Sequence, residues 1–314
     1  MNDFSGYKGY QVDFLGVNFK VSLPEISPEM TAFVALVVGS EDNVLHYHHF
    51  SLVQHALRRF PIFTAANIDG SMFRKLERED RWRLDPRIDR NHQWGPELYS
   101  AEKSDFDKGH MTKREDTQWG NTEKEAKSGA LSTFYYTNAV PQVARLNQQL
   151  WQGLENYILK SETIGEGYRI NVFTGPVLSS RDPVFITEVE GQSILIPTLF
   201  WKIIYFTKSD GSLNRVGFLM GQEALLEEQA IVHTRITERG IAVDEEEELF
   251  MNFKQAETCQ VNISTIEKLT KLTFTPAIEP YEDDRPVTLI RTEVQGRGVE
   301  EGGEASVIIE GLIL

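Results

Sequence analysis

The segment DFDKGHMTKREDTQWG (105–120) is followed by TFYYTNAVPQ (133–142) and by LNQQLWQGLE (146–155). In the first block a histidine follows a glycine within a basic segment, and the later blocks supply asparagines and a glutamate. Imidazole is a general base near neutral pH, and amide and carboxylate oxygens suit a hard Mg²⁺ ion that keeps most of its waters. The three blocks therefore favour a metal-assisted phosphodiesterase.

The composition is that of a globular protein. The 314 residues include 32 Lys and Arg against 47 Asp and Glu, giving a net charge of −15, and 40% are hydrophobic. These values exclude a disordered or fibrous chain. The single Cys259 also excludes an internal disulfide and a zinc site built from several cysteines.

The N-terminal sequence lacks a basic segment followed by an unbroken apolar run, so we expect a cytoplasmic protein, or a secreted one if a signal peptide has been removed. The longest apolar run, FVALVVG (33–39), is far shorter than the roughly 20 residues of a membrane helix. We therefore expect no contact with a membrane.

Charge is unevenly distributed along the chain. Residues 74–90 carry seven basic and five acidic side chains, whereas 244–248 is an unbroken acidic run. The overall negative charge argues weakly against nucleic acid, because phosphate binding depends on local Lys and Arg. Charge counting alone does not distinguish between a polarised surface and two separate solvated faces.

Apolar periodicity predicts a helix over 141–160, with Pro141 in its first turn. A second helix is predicted near 261–270, where Ser264 and Glu267 have capping-box spacing. Strands are predicted for three apolar, β-branched and aromatic runs: 168–174, 193–196 and 199–207. Strands on both sides of a long helix, without a βαβ repeat, indicate an α+β fold. Residues 277–314 are interpreted as an acidic, glycine-containing appendage whose apolar end either adds a strand to the body or docks on a partner.

These blocks resemble the DNA/RNA non-specific endonuclease family, the ββα-metal nucleases of the Serratia nuclease and endonuclease G type. The family hallmark Asp-Arg-Gly-His is present here as Asp107, Lys108, Gly109 and His110. Further blocks match in family order: HFS (49–51), RRFPIFTAANIDG (58–70), DPRI (85–88), FTGPVL (173–178), IPTLFWKIIY (196–205) and ISTIEKLTKLTF (263–274). The resemblance covers about 45–276. It implies a ββα-metal fold with a central, mostly antiparallel sheet flanked by helices, a nuclease domain over 1–276 and the appendage over 277–314.

The resemblance also implies roles for single residues. His110 would be the general base and Asn147 the direct metal ligand. Glu155 would hold a metal-bound water, because eight residues of helix rise about 12 Å and both side chains cannot reach one ion directly. Asn138 would position either the His loop or the substrate, and Arg59, with Arg58 as the less favoured alternative, would stabilise charge on the phosphorane.

Asp107 and Lys108 complete the catalytic motif. Lys108 replaces the family arginine and so loses a planar two-pronged donor, from which we expect a reduced rate or an altered substrate preference. The implied ion is Mg²⁺, with Mn²⁺ as the second candidate. The implied reaction is sequence-independent cleavage of DNA and RNA that leaves 5′-phosphate ends.

Several functions follow from the resemblance. The first is a restrained endonuclease, such as an antiphage effector or toxin, that forms a homodimer and meets a regulatory protein through its appendage or acidic surface. The second is a nuclease-fold module that binds nucleic acid or a protein but has lost cleavage. The third is a secreted nutritional nuclease.

Four other features have simpler interpretations. His46, His48 and His49 are interpreted as packing residues within a strand, and the acidic run 244–248 as solvated. Trp119 and Trp151 are interpreted as core residues, and the Gly-Pro pair at 175–176 as a turn after a strand, because it lacks a phosphate-loop ending.

Overall fold

The structure is a computed structural model that describes residue 4 and residues 6–144, 168–233, 258–294 and 306–314. The described helices are α1 (Pro28–Thr31), α2 (Pro96–Tyr99), α3 (Glu123–Ser132), α4 (Glu223–Glu228) and α5 (Ile263–Thr270). Short 3-10 turns cover Gly70–Met72, Arg90–His92, Glu115–Thr117 and Tyr136–Asn138. The described strands are β1 (Glu25–Ile26), β2 (Leu45–His46), β3 (Phe50–Gln54), β4 (Pro61–Asp69), β5 (Phe106–His110), β6 (Ala139–Val143), β7 (Arg169–Pro176), β8 (Val184–Phe185), β9 (Leu199–Thr207), β10 (Leu213–Gly221), β11 (Val232–His233), β12 (Thr258–Val261), β13 (Leu272–Thr273), β14 (Val287–Thr288), β15 (Ile290–Val294) and β16 (Ser306–Glu310).

An eight-stranded sheet forms the centre of the described chain, in the order β14-β12-β10-β9-β7-β4-β3-β2. Each neighbouring pair in it is antiparallel. Outside it, β5 and β6 pair as a separate antiparallel ribbon. The predicted α+β fold with a mostly antiparallel sheet and flanking helices is therefore confirmed.

Both faces of the sheet are buried, as β9 illustrates. Phe200 and Ile204 belong to the core on the side of the β5–β6 ribbon. The alternate residues Leu199, Trp201 and Ile203 pack on the opposite side, together with α5. Period-two alternation in a strand produces this two-sided burial. The sheet thus supports the β5–β6 ribbon on one face.

The predicted strand over 199–207 is confirmed, and the strand predicted over 168–174 is observed as β7. β7 runs through Gly175 and Pro176, so this pair ends the strand instead of forming a turn after it. The strand predicted over 193–196 is wrong, because there only Leu195 makes an isolated bridge. A run of three apolar residues does not form a strand without a continuous pairing partner.

The second predicted helix is confirmed as α5, but its cap differs from the prediction. The side chain of Asn262 accepts a hydrogen bond from the Thr265 amide at 2.9 Å, so Asn262 is the N-cap and Ser264 lies inside the helix. Asn is among the preferred N-cap residues because its side-chain oxygen satisfies an otherwise free amide. The two residues that suggested a capping box both lie after this cap.

The predicted start of the long helix at Pro141 is wrong. Pro141 lies within β6, opposite Lys108 of β5. The Gln222 amide holds this segment extended, since it donates to the Pro141 carbonyl at 3.1 Å and accepts from the Val143 amide at 2.9 Å. The remaining residues of the predicted helix, 145–160, lie outside the described residues.

The C-terminal segment adds strand β14 to the sheet, where Val287 pairs with Gln260 of β12. The Gln260 side chain also exchanges two hydrogen bonds with the backbone of Ile313, at 2.7 and 2.9 Å. The strand that joins the sheet is thus β14, whereas the apolar end of the segment forms β16, which pairs with β15 in a separate two-stranded sheet. Both alternatives predicted for that end, and the domain division at 276/277, stay predictions. Within the described ranges, no helix has the length and apolarity that spanning a membrane would require.

Candidate active site around His110

The end of the β5–β6 ribbon positions His110. His110 lies opposite Ala139, and the next amide, that of Met111, donates to the Asn138 carbonyl at 2.9 Å. The Asn138 side chain accepts from the Thr112 amide at 2.9 Å and donates to the carbonyls of Thr112 and Thr133 at 2.9 and 3.0 Å. Asn138 is fully buried, so its contacts support positioning of the His loop and leave no surface for a substrate.

Gly109 is required by the close approach of Gln142. A Cβ atom on Gly109 would lie 2.1 Å from Oε1 and 2.3 Å from Cδ of the Gln142 side chain. Gln142 is fully buried, and neither atom of its amide group has a hydrogen-bond partner among the described residues. The glycine of the motif is thus explained by packing within the ribbon.

The His110 ring lies among aromatic side chains. Its centroid is 5.0 Å from that of Phe134, edge to face, and 4.6 Å from that of Trp82. Nε2 of His110 is buried without a hydrogen-bond partner among the described residues. Burial lowers the His110 pKa to about 4, and the positive charges of Arg78 and Arg114 act in the same direction, against Glu115 and Asp80. The imidazole is therefore neutral at pH 7.

Two arginines of the basic region are close enough to act on His110. Arg78 is paired with Asp80 through two hydrogen bonds of 2.7 and 3.1 Å, and its side chain is 65% exposed. Arg114 is buried and donates to the carbonyls of Leu76 and Glu77 at 3.0 and 2.7 Å. Arg114 thus anchors the basic segment beside the histidine, and Arg78 faces solvent.

Lys108 and Asp107 precede the histidine in β5. Nζ of Lys108 lies 5.5 Å from the ring centroid of Tyr99 in α2, within the range of a cation–π contact. Asp107 lies opposite Gln142 in the ribbon, and its negative charge acts on Arg78. Both residues therefore lie next to His110, as the motif predicts.

Arg59 and Arg58 make other contacts than Arg78 and Arg114, the two arginines that act on His110. Arg59 is buried with its guanidinium 4.3 Å above the Trp94 ring and 3.9 Å from the Glu190 carboxylate. Among the described residues, no hydrogen bond, ion pair or ring contact joins Arg59 or Arg58 to His110. Arg59 therefore makes no direct contact with His110 among the described residues, and its role at the phosphorane stays a prediction.

Arg58 instead satisfies a buried carboxylate. It forms an ion pair with Asp182, which is fully buried, and donates to the carbonyls of Ser179 and Leu195 at 2.8 and 3.1 Å. Burial raises the Asp182 pKa to about 6, and the positive charge of Arg58 opposes this shift. These contacts indicate a structural role for Arg58.

The predicted metal ligands Asn147 and Glu155 lie outside the described residues, as do Trp151 and the acidic run 244–248. The part of the chain that the structure describes contains no group of three or more His, Cys, Asp or Glu side chains suited to a metal ion. An amide and a carboxylate are oxygen donors, and Mg²⁺ usually keeps several waters alongside one or two protein ligands. The predicted donor set fits such an ion without requiring a cluster.

The other predicted histidines are packing residues. Nδ1 of His46 is 2.8 Å from Oγ of Ser51, and His49 stacks on Trp119 with centroids 3.6 Å apart. The Trp119 indole donates to the Asn67 carbonyl at 2.9 Å, which supports its structural interpretation. His48 and His49 lie in the turn between β2 and β3, so their predicted place within a strand is wrong.

The sequence interpretation missed the aromatic neighbours of His110. The rings of Trp82 and Phe134 contact it, and the ring centroid of Tyr136 lies 5.5 Å from that of Trp82. The available signal was a tryptophan between two arginines in a segment rich in charge. Its significance depends on the pairing of Arg83 with Tyr135, which brings two distant segments together.

Comparison with known proteins gives several relatives. The uncharacterized protein y4fB of Sinorhizobium fredii is 39% identical over 231 residues, covering 71% of this chain and 34% of that protein. Human mitochondrial endonuclease G is 29% identical over 129 residues, covering 37% of this chain and 39% of that protein. A nuclease of Nostoc is 27% identical over 204 residues, covering 60% of this chain and 67% of that protein. The matches thus span little more than a third of the length of the first two relatives.

A solved structure of the EndoG/EndoGI complex, which concerns the mechanism of EndoG inhibition, aligns with a TM-score of 0.48 at 19% identity. The alignment covers 75% of this chain and 86% of that one. The sequence model of one family, described as DNA/RNA non-specific endonuclease, matches residues 30–280. Members of this family are nucleases and generally depend on a divalent metal ion. Since that match covers well over half of the sequence, the chain belongs to the DNA/RNA non-specific endonuclease family.

Proposed function

We propose that this protein is an endonuclease that uses Mg²⁺, or Mn²⁺ in its place, to hydrolyse phosphodiester bonds of DNA and RNA without reading their sequence. The observation that carries the proposal is the His110 ring, which is kept neutral by burial and leaves Nε2 without a partner among the described residues. A neutral imidazole can accept a proton, as general-base catalysis requires. Family membership supports the same reaction class.

In the proposed reaction His110 takes a proton from a water molecule, and the water oxygen attacks phosphorus. The bond from phosphorus to the 3′-oxygen breaks, the 3′-oxygen gains a proton, and the products carry a 5′-phosphate and a 3′-hydroxyl. The negative charge of a bound phosphate raises the pKa of a nearby imidazole. Substrate binding would therefore shift the His110 pKa from about 4 towards neutrality, where a general base is most effective.

Asn147 would be the direct ligand of the ion and Glu155 an indirect one. When bound, the ion would polarise the phosphate and neutralise the leaving 3′-oxygen. Among the cations, the contacts favour Arg78 over Arg59 as the group that stabilises the phosphorane, because the Arg78 charge acts on His110 and its side chain is 65% exposed. Asn138 would position the His loop, and Lys108 would contribute charge without the forked geometry of an arginine.

The proposal is tested with supercoiled plasmid and a structured RNA, each incubated with Mg²⁺ or with EDTA. We expect Mg²⁺-dependent degradation of both, and a loss of about 10²- to 10⁴-fold in His110→Ala, the range that general-base catalysis supplies. Asn147→Ala should lose activity and regain part of it at high Mg²⁺. Retention of both substrates by the folded wild type would overturn the proposal, and binding without cleavage would favour the non-cleaving module instead.

We also propose that the chain acts as a homodimer under the control of a regulatory protein, as an antiphage effector or toxin in the cytoplasm would. Deleting 277–314 would remove β14 and Glu279, whose carboxylate accepts from the Ile263 amide at 2.9 Å. Substituting the exposed Ile313 and Leu314 with serine is therefore the cleaner test. Unchanged mass by light scattering and unchanged toxicity on expression would count against a role for this segment.

A further inference from the structure

We infer that the Trp82 indole stacks on a nucleobase next to the phosphate held at His110, so that the site binds nucleic acid with an unstacked base. This inference rests on the proposed function, which it deepens by naming the form of the substrate. In a duplex the faces of the bases are covered by their neighbours. A stacking side chain therefore requires a single strand or a locally unstacked one.

The position of Trp82 supports this role. Its ring is 4.6 Å from that of His110 and is partly exposed to solvent. The other described tryptophans, Trp94, Trp119 and Trp201, each donate their indole N–H to a backbone carbonyl. No such bond is formed by Trp82 with any described residue, although a tryptophan used for packing normally satisfies this group. An amphipathic ring with a free donor is thus presented beside the candidate base.

The backbone holds Trp82 in a fixed place. The next residue, Arg83, donates its amide to the Phe134 carbonyl at 3.0 Å and accepts from the Tyr136 amide at 3.0 Å. The indole and the Phe134 ring are nearly perpendicular, with their centroids 5.3 Å apart. A side chain that is already ordered loses little conformational entropy when a ligand binds. The free protein therefore presents the ring ready for contact.

Further aromatic and positively charged side chains lie near Trp82. Tyr136 stacks on Tyr99 with centroids 5.9 Å apart, and Nζ of Lys108 lies above Tyr99. Arg81, adjacent to Trp82 in sequence, has a side chain that is 70% exposed. Aromatic faces for bases beside cations for the backbone are the combination that binds single strands without sequence preference. The arrangement thus matches the sequence-independent reaction proposed above.

The experiment measures binding in EDTA, so that the strand stays intact. Two fluorescein-labelled eight-residue probes are compared by anisotropy: octathymidylate and a fully abasic deoxyribose-phosphate oligomer of the same length and charge. Every register of such uniform probes is equivalent, so the position of binding does not matter. We expect the wild type to bind octathymidylate about 5- to 150-fold more tightly than the abasic probe, the range for one stacked base.

Three variants separate stacking from packing. Trp82→Leu keeps apolar volume beside His110 and should bring the ratio of affinities close to one, whereas Trp82→Phe should restore part of it. Trp119→Phe is the matched control and should keep the wild-type ratio, because its ring stacks on His49 and its N–H is already bonded. Thermal melting confirms that each variant is folded.

A wild-type ratio in folded Trp82→Leu would overturn the inference and leave Trp82 as a packing residue. The proposed function fails in a different way. In that case the wild type would bind neither probe and would leave plasmid and RNA intact with Mg²⁺.

Discussion

The Arg58–Asp182 pair and the His110 ring both bury a titratable group, but they satisfy it in opposite ways. At the pair, Arg58 donates to the Asp182 carboxylate and to two carbonyls, although its own Nε has no partner among the described residues. At His110 the buried Nε2 has no partner among the described residues. The first arrangement gives the buried titratable group a partner of opposite charge, and the second leaves the buried titratable nitrogen without one.

Burial moves both groups towards their neutral forms, since it raises the Asp182 pKa to about 6 and lowers the His110 pKa to about 4. Arg58 counteracts the shift at Asp182 by supplying the opposite charge at contact. At His110 the arginines strengthen the shift instead. The paired carboxylate of Asp182 therefore has a structural role, whereas the unpaired imidazole of His110 is kept ready to take up a proton.

The largest effect is expected for Arg58→Met, which leaves the Asp182 carboxylate buried without its partner. Removing one member of a buried ion pair costs about 3–5 kcal/mol, so we expect the free energy of unfolding in urea to fall by that amount at pH 7. Because protonation relieves the buried charge, the loss should be smaller at pH 5 than at pH 7.

The control is the double variant Arg58→Met with Asp182→Leu, which removes both charges and should recover much of the stability. Activity per folded molecule should stay within twofold of the wild type. A stable Arg58→Met protein without activity would contradict the structural assignment, because it would give Arg58 a role in the reaction.

The next largest effect is expected at Asn138, the residue that holds the His110 loop in place. Asn138→Ala leaves the Thr112 amide and two carbonyls without partners, and we expect a loss of about 2–3 kcal/mol in unfolding free energy. The turnover of plasmid should fall with little change in KM, because Asn138 is buried away from substrate. A raised KM with unchanged kcat would favour direct substrate contact.

The smallest expected effect concerns acid pH. Burial lowers the pKa of His49, His55 and His110 from 6.5 to about 4. The unfolded chain therefore binds more protons between these values, so stability is complete above pH 6.5 and falls as the pH drops towards 4. Between pH 7 and pH 5 we expect a loss of about 2 kcal/mol per histidine.

Two substitutions distinguish the contribution of His55 from that of His110. His55→Gln and His110→Gln should each flatten the fall of the urea midpoint with decreasing pH, but only His110→Gln should abolish cleavage. His55 is a suitable match, since it accepts from the Leu57 and Arg58 amides at the turn before β4. An unchanged pH slope in both variants would place the acid sensitivity elsewhere.

Much of the fold could be predicted because its signals are local. Strand β9 has the boundaries that its apolar run predicts, and α5 lies where the spacing of Ser264 and Glu267 predicts a helix, although its cap is Asn262. The start predicted at Pro141 was wrong because β6 is set by partners distant in sequence, Lys108 of β5 and Gln222. Periodicity within one segment carries no information about such partners.

The site divides in the same way. The adjacency of Lys108, Gly109 and His110 is written in the chain, and Asn138 follows from the family resemblance. Arg78 could not be singled out from the sequence, because its effect on the histidine depends on how Arg114 anchors the basic segment. Trp82 was missed for the same reason, since its neighbours Phe134 and Tyr136 lie more than fifty residues away in sequence.

The contact between Gly109 and Gln142 has a consequence for the inheritance of the motif. Any side chain at 109 would collide with Gln142, which is fully buried and has no solvent to move into. Alanine at 109 would therefore require the end of the Gln142 side chain to move aside, and a smaller residue at 142 would remove the collision. No neighbour restricts position 108 in this way. Its partly exposed side chain ends above the Tyr99 ring, which an arginine could also contact. Position 108 can therefore be substituted alone, without a compensating change at a neighbouring position.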